Sequence, residues 1–240
     1  MKINKKEFEE NGYLVLPKIV SKSSLLKLNK NADKMINDFK KSVNREQSNK
    51  NNRKKFGEIS QNGKIFFANQ CEYYSHINAY AKGKFIKKIV SKLLGNKIYL
   101  FNEQLVNKNP NTPSSFSWHQ DSGYIHFKHK PYISVWLALT DTTEKNGSLS
   151  IIPTNLKKIK NATLHKWKDT SKDLGINVNE KKAVQVCVSA GTLIIFSSLT
   201  PHSSGANITK KNRKAYLSQY SSEYIIDPFN GIQRGRAYLI

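Results

Sequence analysis

Cysteine is almost missing from this chain: Cys71 and Cys187 are the two in 240 residues. A chain of that length buries about 70% of its unfolded surface in a single core and needs no cross-link. So few thiols also fit a reducing compartment, and Cys187, inside the strand-like run 183–188, reads as a small buried hydrophobe. Long apolar runs are missing too. Nothing approaches the roughly 20 residues that span a bilayer, and Met1 to Glu7 is charged with no apolar leader core, so a soluble, cytoplasmic protein is expected. Acid is scarce, 17 Asp and Glu against 40 Lys and Arg, which leaves a formal net charge of +23. Gathered into a block, such an excess would point to nucleic acid or an anionic surface. Here the lysines are spread along the chain, often beside asparagine as in residues 47–55. A solvated basic surface is therefore favoured, an anionic small molecule comes next, and nucleic acid last. Arginine is the rare base, with Arg45, Arg53, Arg213, Arg234 and Arg236 only.

What is present is patterned, helices first and strands afterwards. Residues 5–11 read as a helix stopped by Gly12, and 13–16 as a strand. Ser21 can cap a second helix in which Leu25, Leu28, Ala32, Met35, Ile36 and Phe39 recur at three- and four-residue spacing, a stripe that packs on a sheet. Residues 42–55 read as a polar loop. Helices are expected at 69–80 and 84–94, the latter ended by Gly95. Strands are expected at 97–107, 131–139, 149–152, 183–188, 192–196 and 213–221, with short pieces near His119 and His202. The layout is α+β with a mainly β core, a double-stranded β-helix or jelly-roll barrel with N-terminal helices on its major sheet. One domain over 1–240 is expected: a helical part at 1–95, a β core at 97–221, and a Lys-rich insertion at 157–180.

The residues able to do chemistry gather first in Phe116-Ser117-Trp118-His119-Gln120-Asp121. In extended backbone His119 and Asp121 point the same way and can hold one cation; alone, the pair fits an ordinary hydrogen bond as well. His202 follows the apolar run Leu193 to Phe196 after a bend at Pro201 and supplies a third donor. Two imidazoles and one carboxylate on one face form the donor set of non-haem Fe(II) oxygenases, with positions left open for cosubstrate and oxygen. Arg213 shares a strand face with Ala215 and Leu217, and an inward guanidinium calls for an anion that its planar fork can grip. His126 and His129, after the motif in a basic loop, read as surface or substrate-pocket residues.

Taken in order, Trp118-His119-Gln120-Asp121, the run 135–141, Glu144-Lys145-Asn146-Gly147-Ser148 leading to Pro153, His202-Ser203-Ser204-Gly205-Ala206-Asn207 and Arg213-Lys214-Ala215 resemble the phytanoyl-CoA dioxygenase-like family of Fe(II)/2-oxoglutarate-dependent oxygenases, as does Gly12-Tyr13-Leu14-Val15-Leu16-Pro17. One departure is visible: Pro153 is followed by Thr154-Asn155-Leu156 where many members have Gly-Ser-His. The resemblance implies iron on His119, Asp121 and His202, with 2-oxoglutarate and O2 as cosubstrates. It further implies Arg213 as the partner of the distal carboxylate, Gln104, Trp136 and Ser204 in the same pocket, and the insertion over the site mouth. The implied reaction is hydroxylation of an unactivated C–H in a small metabolite or biosynthetic intermediate, with release of succinate and carbon dioxide, and the net positive charge favours an anionic one. The competing expectation is a basic nucleic-acid-binding protein on an inactive oxygenase scaffold, which would bind polynucleotide with steep salt dependence.

Overall fold

The Ser21 hydroxyl accepts the Ser24 N–H at 3.2 Å, which satisfies a free amide of the first turn of helix α2 (Lys22–Arg45). Its stripe Leu28, Ala32, Met35, Ile36 and Phe39 is buried against the sheet below. Helix α1 (Lys5–Asn11) ends where Gly12 turns left-handed. Helices α3 (Ser75–Ala81) and α4 (Lys84–Leu94) add Ile77, Ile86, Ile89 and Val90 to the same layer. This computed structural model describes residues 3–45, 58–59 and 65–240. Most of the expected loop 42–55 lies outside the described residues, and α2 runs into its first part. The single helix expected over 69–80 is broken: Gln70–Glu72 forms a 3-10 turn and Tyr74 is extended before α3. The physical reason is a tie to the sheet, since Cys71 N–H is drawn to a Glu103 carboxylate oxygen at 2.9 Å.

The major sheet is built from β1 (Tyr13–Leu16), β2 (Glu58–Ile59), β3 (Ile65–Ala68), β4 (Tyr99–Lys108), β6 (Ile133–Ala138), β11 (Leu193–Ser197) and β13 (Arg213–Ser221) in the order β1-β11-β6-β13-β4-β3-β2, with β14 (Tyr238–Leu239) also paired to β4. The minor sheet has β5 (Phe116–His119), β7 (Leu149–Ile151), β10 (Val184–Val186) and β12 (His202–Ser204) in the order β10-β7-β12-β5. The insertion folds as the hairpin of β8 (Lys166–Lys168) and β9 (Asp173–Gly175). These two facing antiparallel sheets are the expected jelly-roll core.

Alternation divides the major sheet. Ile133, Val135, Leu137, Leu193, Ile195, Tyr216 and Tyr220 face the helices, whereas Trp136, Ala138, Ile194, Phe196 and Ala215 meet Leu149, Ile151 and Val186 of the minor sheet. Each large apolar side chain so buried contributes about 1.5–3 kcal/mol. The pairing of β13 with β4 slips once: Gln219 faces Asn102 and Tyr220 faces Leu100, so Phe101 is the extra residue of a bulge. Cys187 departs from its expected burial. Strand β10 ends at Val186, the next side chain turns to the outer face, and Cys187 is exposed. Among the described residues no helix is long and apolar enough to cross a membrane.

Candidate active site

Register brings the two histidines together. Strands β12 and β5 are antiparallel with His202 directly opposite His119, and the imidazole centroids lie 4.2 Å apart. Gln120 stays extended, so alternation holds as far as Asp121, which opens a 3-10 turn (Asp121–Tyr124). One Asp121 carboxylate oxygen, Oδ1, stands 3.8 Å from His119 Nε2 and 3.7 Å from His202 Nε2. Those gaps exceed hydrogen-bond length, and the three buried donors converge on shared space, all within 4.8 Å of one another.

The remaining polar atoms of the three side chains are occupied, which fixes how they present themselves. His119 Nδ1–H donates to Ser117 O at 2.7 Å and His202 Nδ1–H to Thr200 O at 3.0 Å, which leaves both Nε2 lone pairs pointing at the gap. Burial, then the neighbouring His202, pushes His119 down to about 4, so its ring is neutral at ordinary pH. Asp121 Oδ2 accepts from the Ser134 hydroxyl and from Gln219 Nε2 at 3.0 Å. Gln219 in turn accepts from Asn102 Nδ2 at 2.8 Å. Asn102, Gln219 and Ser134 sit side by side on β4, β13 and β6, so the major sheet grips the carboxylate carried by the minor one. Sequence reading passed over these three. Their signal was there: polar side chains sharing a strand face with Trp136 and Arg213.

Arg213 lies across the same cavity, of about 640 Å³, which is also lined by Gln104, Trp136, Ser204 and the three donors. Its guanidinium is buried, and Nε and Nη1 have no hydrogen-bond partner among the described residues. The Trp136 ring centroid is 5.6 Å from Cζ. Burial lowers Arg213 to about 10, which keeps it cationic at neutral pH. Lys108, opposite Arg213 in the β13–β4 register, donates instead to the carbonyls of Ser204 and Gly205 and holds the end of β12.

The insertion is bonded to the donor-bearing segment itself. Ile176 N–H donates to Trp118 O at 2.7 Å, Thr163 N–H to Gln120 Oε1 at 2.7 Å, and Gln120 N–H to His165 Nε2 at 2.9 Å. His165 lies so flat on Gly123 that a Cβ there would come 1.9 Å from its ring; glycine is the residue that fits. Lys172 and Asp173 of the insertion line the cavity. His126 is exposed, as expected. His129 is half-buried: its Nε2 meets the Ser122 hydroxyl at 3.0 Å and it packs beside Tyr132, which braces the 3-10 turn.

The family profile described as phytanoyl-CoA dioxygenase (PhyH) matches residues 8–215. A 2-aminoethylphosphonate dioxygenase from uncultured bacterium HF130_AEPn_1 is 27% identical over 156 residues, 64% of this chain and 57% of that protein. The chain thus spans little more than half of that relative's length. A phytanoyl-CoA dioxygenase of Arabidopsis thaliana is 24% identical over 243 residues, 87% of this chain and 84% of its own. Among solved structures, EctD from S. alaskensis with 2-oxoglutarate and 5-hydroxyectoine superposes with a TM-score of 0.70 at 21% identity, covering 97% of this chain and 80% of that one, a likeness of fold. With a match over most of its length and a His-Asp-His donor set in a jelly-roll core, this chain belongs to the phytanoyl-CoA dioxygenase family of Fe(II)- and 2-oxoglutarate-dependent oxygenases.

Proposed function

We propose that His119, Asp121 and His202 hold Fe(II) through Nε2, Oδ1 and Nε2, and that Arg213 receives the distal carboxylate of 2-oxoglutarate, with Gln104, Trp136 and Ser204 around it. The observation that carries this reading is the buried, unpaired Arg213 in the same cavity as three converging metal donors. An isolated buried charge is costly unless something compensates it. A dicarboxylate cosubstrate supplies that compensation. When bound, the metal would supply the chemistry by which O2 is split between 2-oxoglutarate, which leaves as succinate and carbon dioxide, and a substrate C–H, which becomes C–OH.

The chain's own residues do the positioning. The carbonyls of Ser117 and Thr200 fix the imidazole tautomers, and Ser134 and Gln219 leave a single carboxylate oxygen of Asp121 facing the gap. Asp121 itself favours hydroxylation over halogenation, which needs that position free. Phe101, Phe116, Tyr124 and Tyr132 give the cavity aromatic walls. The substrate is a small molecule, and the basic chain favours an anionic one. Two cysteines in 240 residues fit a cytoplasmic protein. The test is succinate release from 2-oxoglutarate by Fe(II)-loaded protein, with 2-oxoglutarate binding measured by calorimetry. Metal-dependent succinate and Arg213-dependent binding are expected, and the absence of both would remove the reading.

A further inference from the structure

The cavity wall carries more charge than iron and 2-oxoglutarate account for. Asp121 faces the metal site and Arg213 the cosubstrate, which leaves Lys172, Asp173 and Arg234. Lys172 Nζ lies 3.6 Å from Asp169. Asp173 accepts from Ser117 N–H and the Ser171 hydroxyl. Arg234, by contrast, forms no ion pair among the described residues, although its neighbour Arg236 is paired with Glu72.

The fold spends several contacts on placing Arg234. The segment after β13 doubles back, closed by Asp227 N–H to Ile232 O at 2.9 Å and by Arg234 N–H to Ile225 O at 2.7 Å. Gly235 then presses on the bulged residue Phe101. Its φ is +69°, and a Cβ there would lie 2.0 Å from Phe101 O, so both the backbone angle and the space demand glycine. Arg236 N–H donates to the same carbonyl at 3.1 Å. The backbone of Arg234 is thereby fixed, and its exposed side chain lines the same cavity as the metal donors, whose wall includes Phe101 packed edge-on to Tyr132 at 4.7 Å.

Resting on the oxygenase reading above, we propose that Arg234 is a specificity-determining residue that receives an acidic group of the substrate. The compounds turned over then carry a carboxylate, phosphonate or phosphate joined to an apolar body that spans the aromatic wall. The guanidinium fork suits all three groups, because each offers two oxygens in one plane to two parallel N–H bonds. Cation at the rim, aromatic midsection and metal at the floor set the reacting C–H at the far end of the molecule from its acid.

The probes are 4-phenylbutanoate and phenylphosphonate, with 4-phenylbutanamide as the neutral match of the first. Binding is measured without oxygen on Fe(II)- and 2-oxoglutarate-loaded wild-type protein and on Arg234→Met and Arg234→Lys. The wild type is expected to bind the carboxylate about tenfold more tightly than the amide, a modest ratio because Arg234 is exposed. Arg234→Met brings the ratio near one and Arg234→Lys keeps part of it. The ranking of carboxylate against phosphonate tells which acid the fork prefers. An amide bound as well as the acid, or a ratio unmoved in Arg234→Met, overturns the proposal. If acids are indifferent to Arg234 while 2-oxoglutarate binding still depends on Arg213, the subsite fails and the oxygenase reading stands. If 2-oxoglutarate does not bind and the acid preference still follows Arg234, the reading of the cosubstrate site fails and the acid site stands.

Discussion

On the helix side of the major sheet the buried acid Glu103 has both oxygens engaged, Oε2 by the Tyr216 hydroxyl and Oε1 by Cys71 N–H at 2.9 Å. On the cavity side of the same sheet, Arg213 is as deeply buried and has two nitrogens unmet. The two residues stand on adjacent strands, β4 and β13. Where a buried polar group serves only the fold, the fold supplies its partners. Where partners are withheld from a charge that costs several kcal/mol to bury alone, the cosubstrate carboxylate proposed above would supply them.

Four substitutions break or sharpen that contrast. The largest effect is expected on the cavity face from His119→Ala, which removes a metal donor and should bring Fe(II)-dependent succinate release to background. Arg213→Met tests the unmet charge in two directions. The KM for 2-oxoglutarate should rise roughly tenfold to hundredfold, while the ligand-free protein becomes more stable by about 1–4 kcal/mol in denaturant melts. An unchanged or lowered stability would show that Arg213 is compensated already. Gln219→Leu leaves Asp121 with Ser134 alone and should weaken Fe(II) binding about tenfold or more by metal titration, with a smaller change in cosubstrate KM.

The smallest effect lies on the helix face. Burial pushes the Glu103 carboxyl up, and its hydrogen bonds from Tyr216 and Cys71 oppose this only in part. A raised folded-state value means the native form holds the proton longer. The stability contribution is therefore full below the unfolded value of about 4.3 and is lost as pH rises through the folded one. Glu103→Gln should flatten that loss, seen as a melting temperature that changes less between pH 4 and pH 8 than in the parent protein.

Much of this was legible in the residues. The stripe from Leu28 to Phe39 and the strands around Val135 and Ile195 follow from local periodicity, whereas His119, Asp121 and His202 were legible as one donor set through the ordered family resemblance, the His119–Asp121 pair alone fitting an ordinary hydrogen bond as well. Arg213 was readable because it stands on one face with Ala215 and Leu217. What escaped depends on pairing between distant strands. Ser134, Gln219 and Asn102 become one network only when β6, β13 and β4 are in register, and no local pattern gives that register. Cys187 was misplaced because Val186 and Val188 take the inner face, which leaves the side chain between them outside. The helix expected over 69–80 broke because Glu103, some thirty residues away, claims the Cys71 amide.

The insertion is tied on both flanks of its hairpin to Trp118 and Gln120, the residues on either side of His119, by Ile176 N–H to Trp118 O, Thr163 N–H to Gln120 Oε1 and Gln120 N–H to His165 Nε2. A flap hinged there could not swing without dragging a donor off its mark.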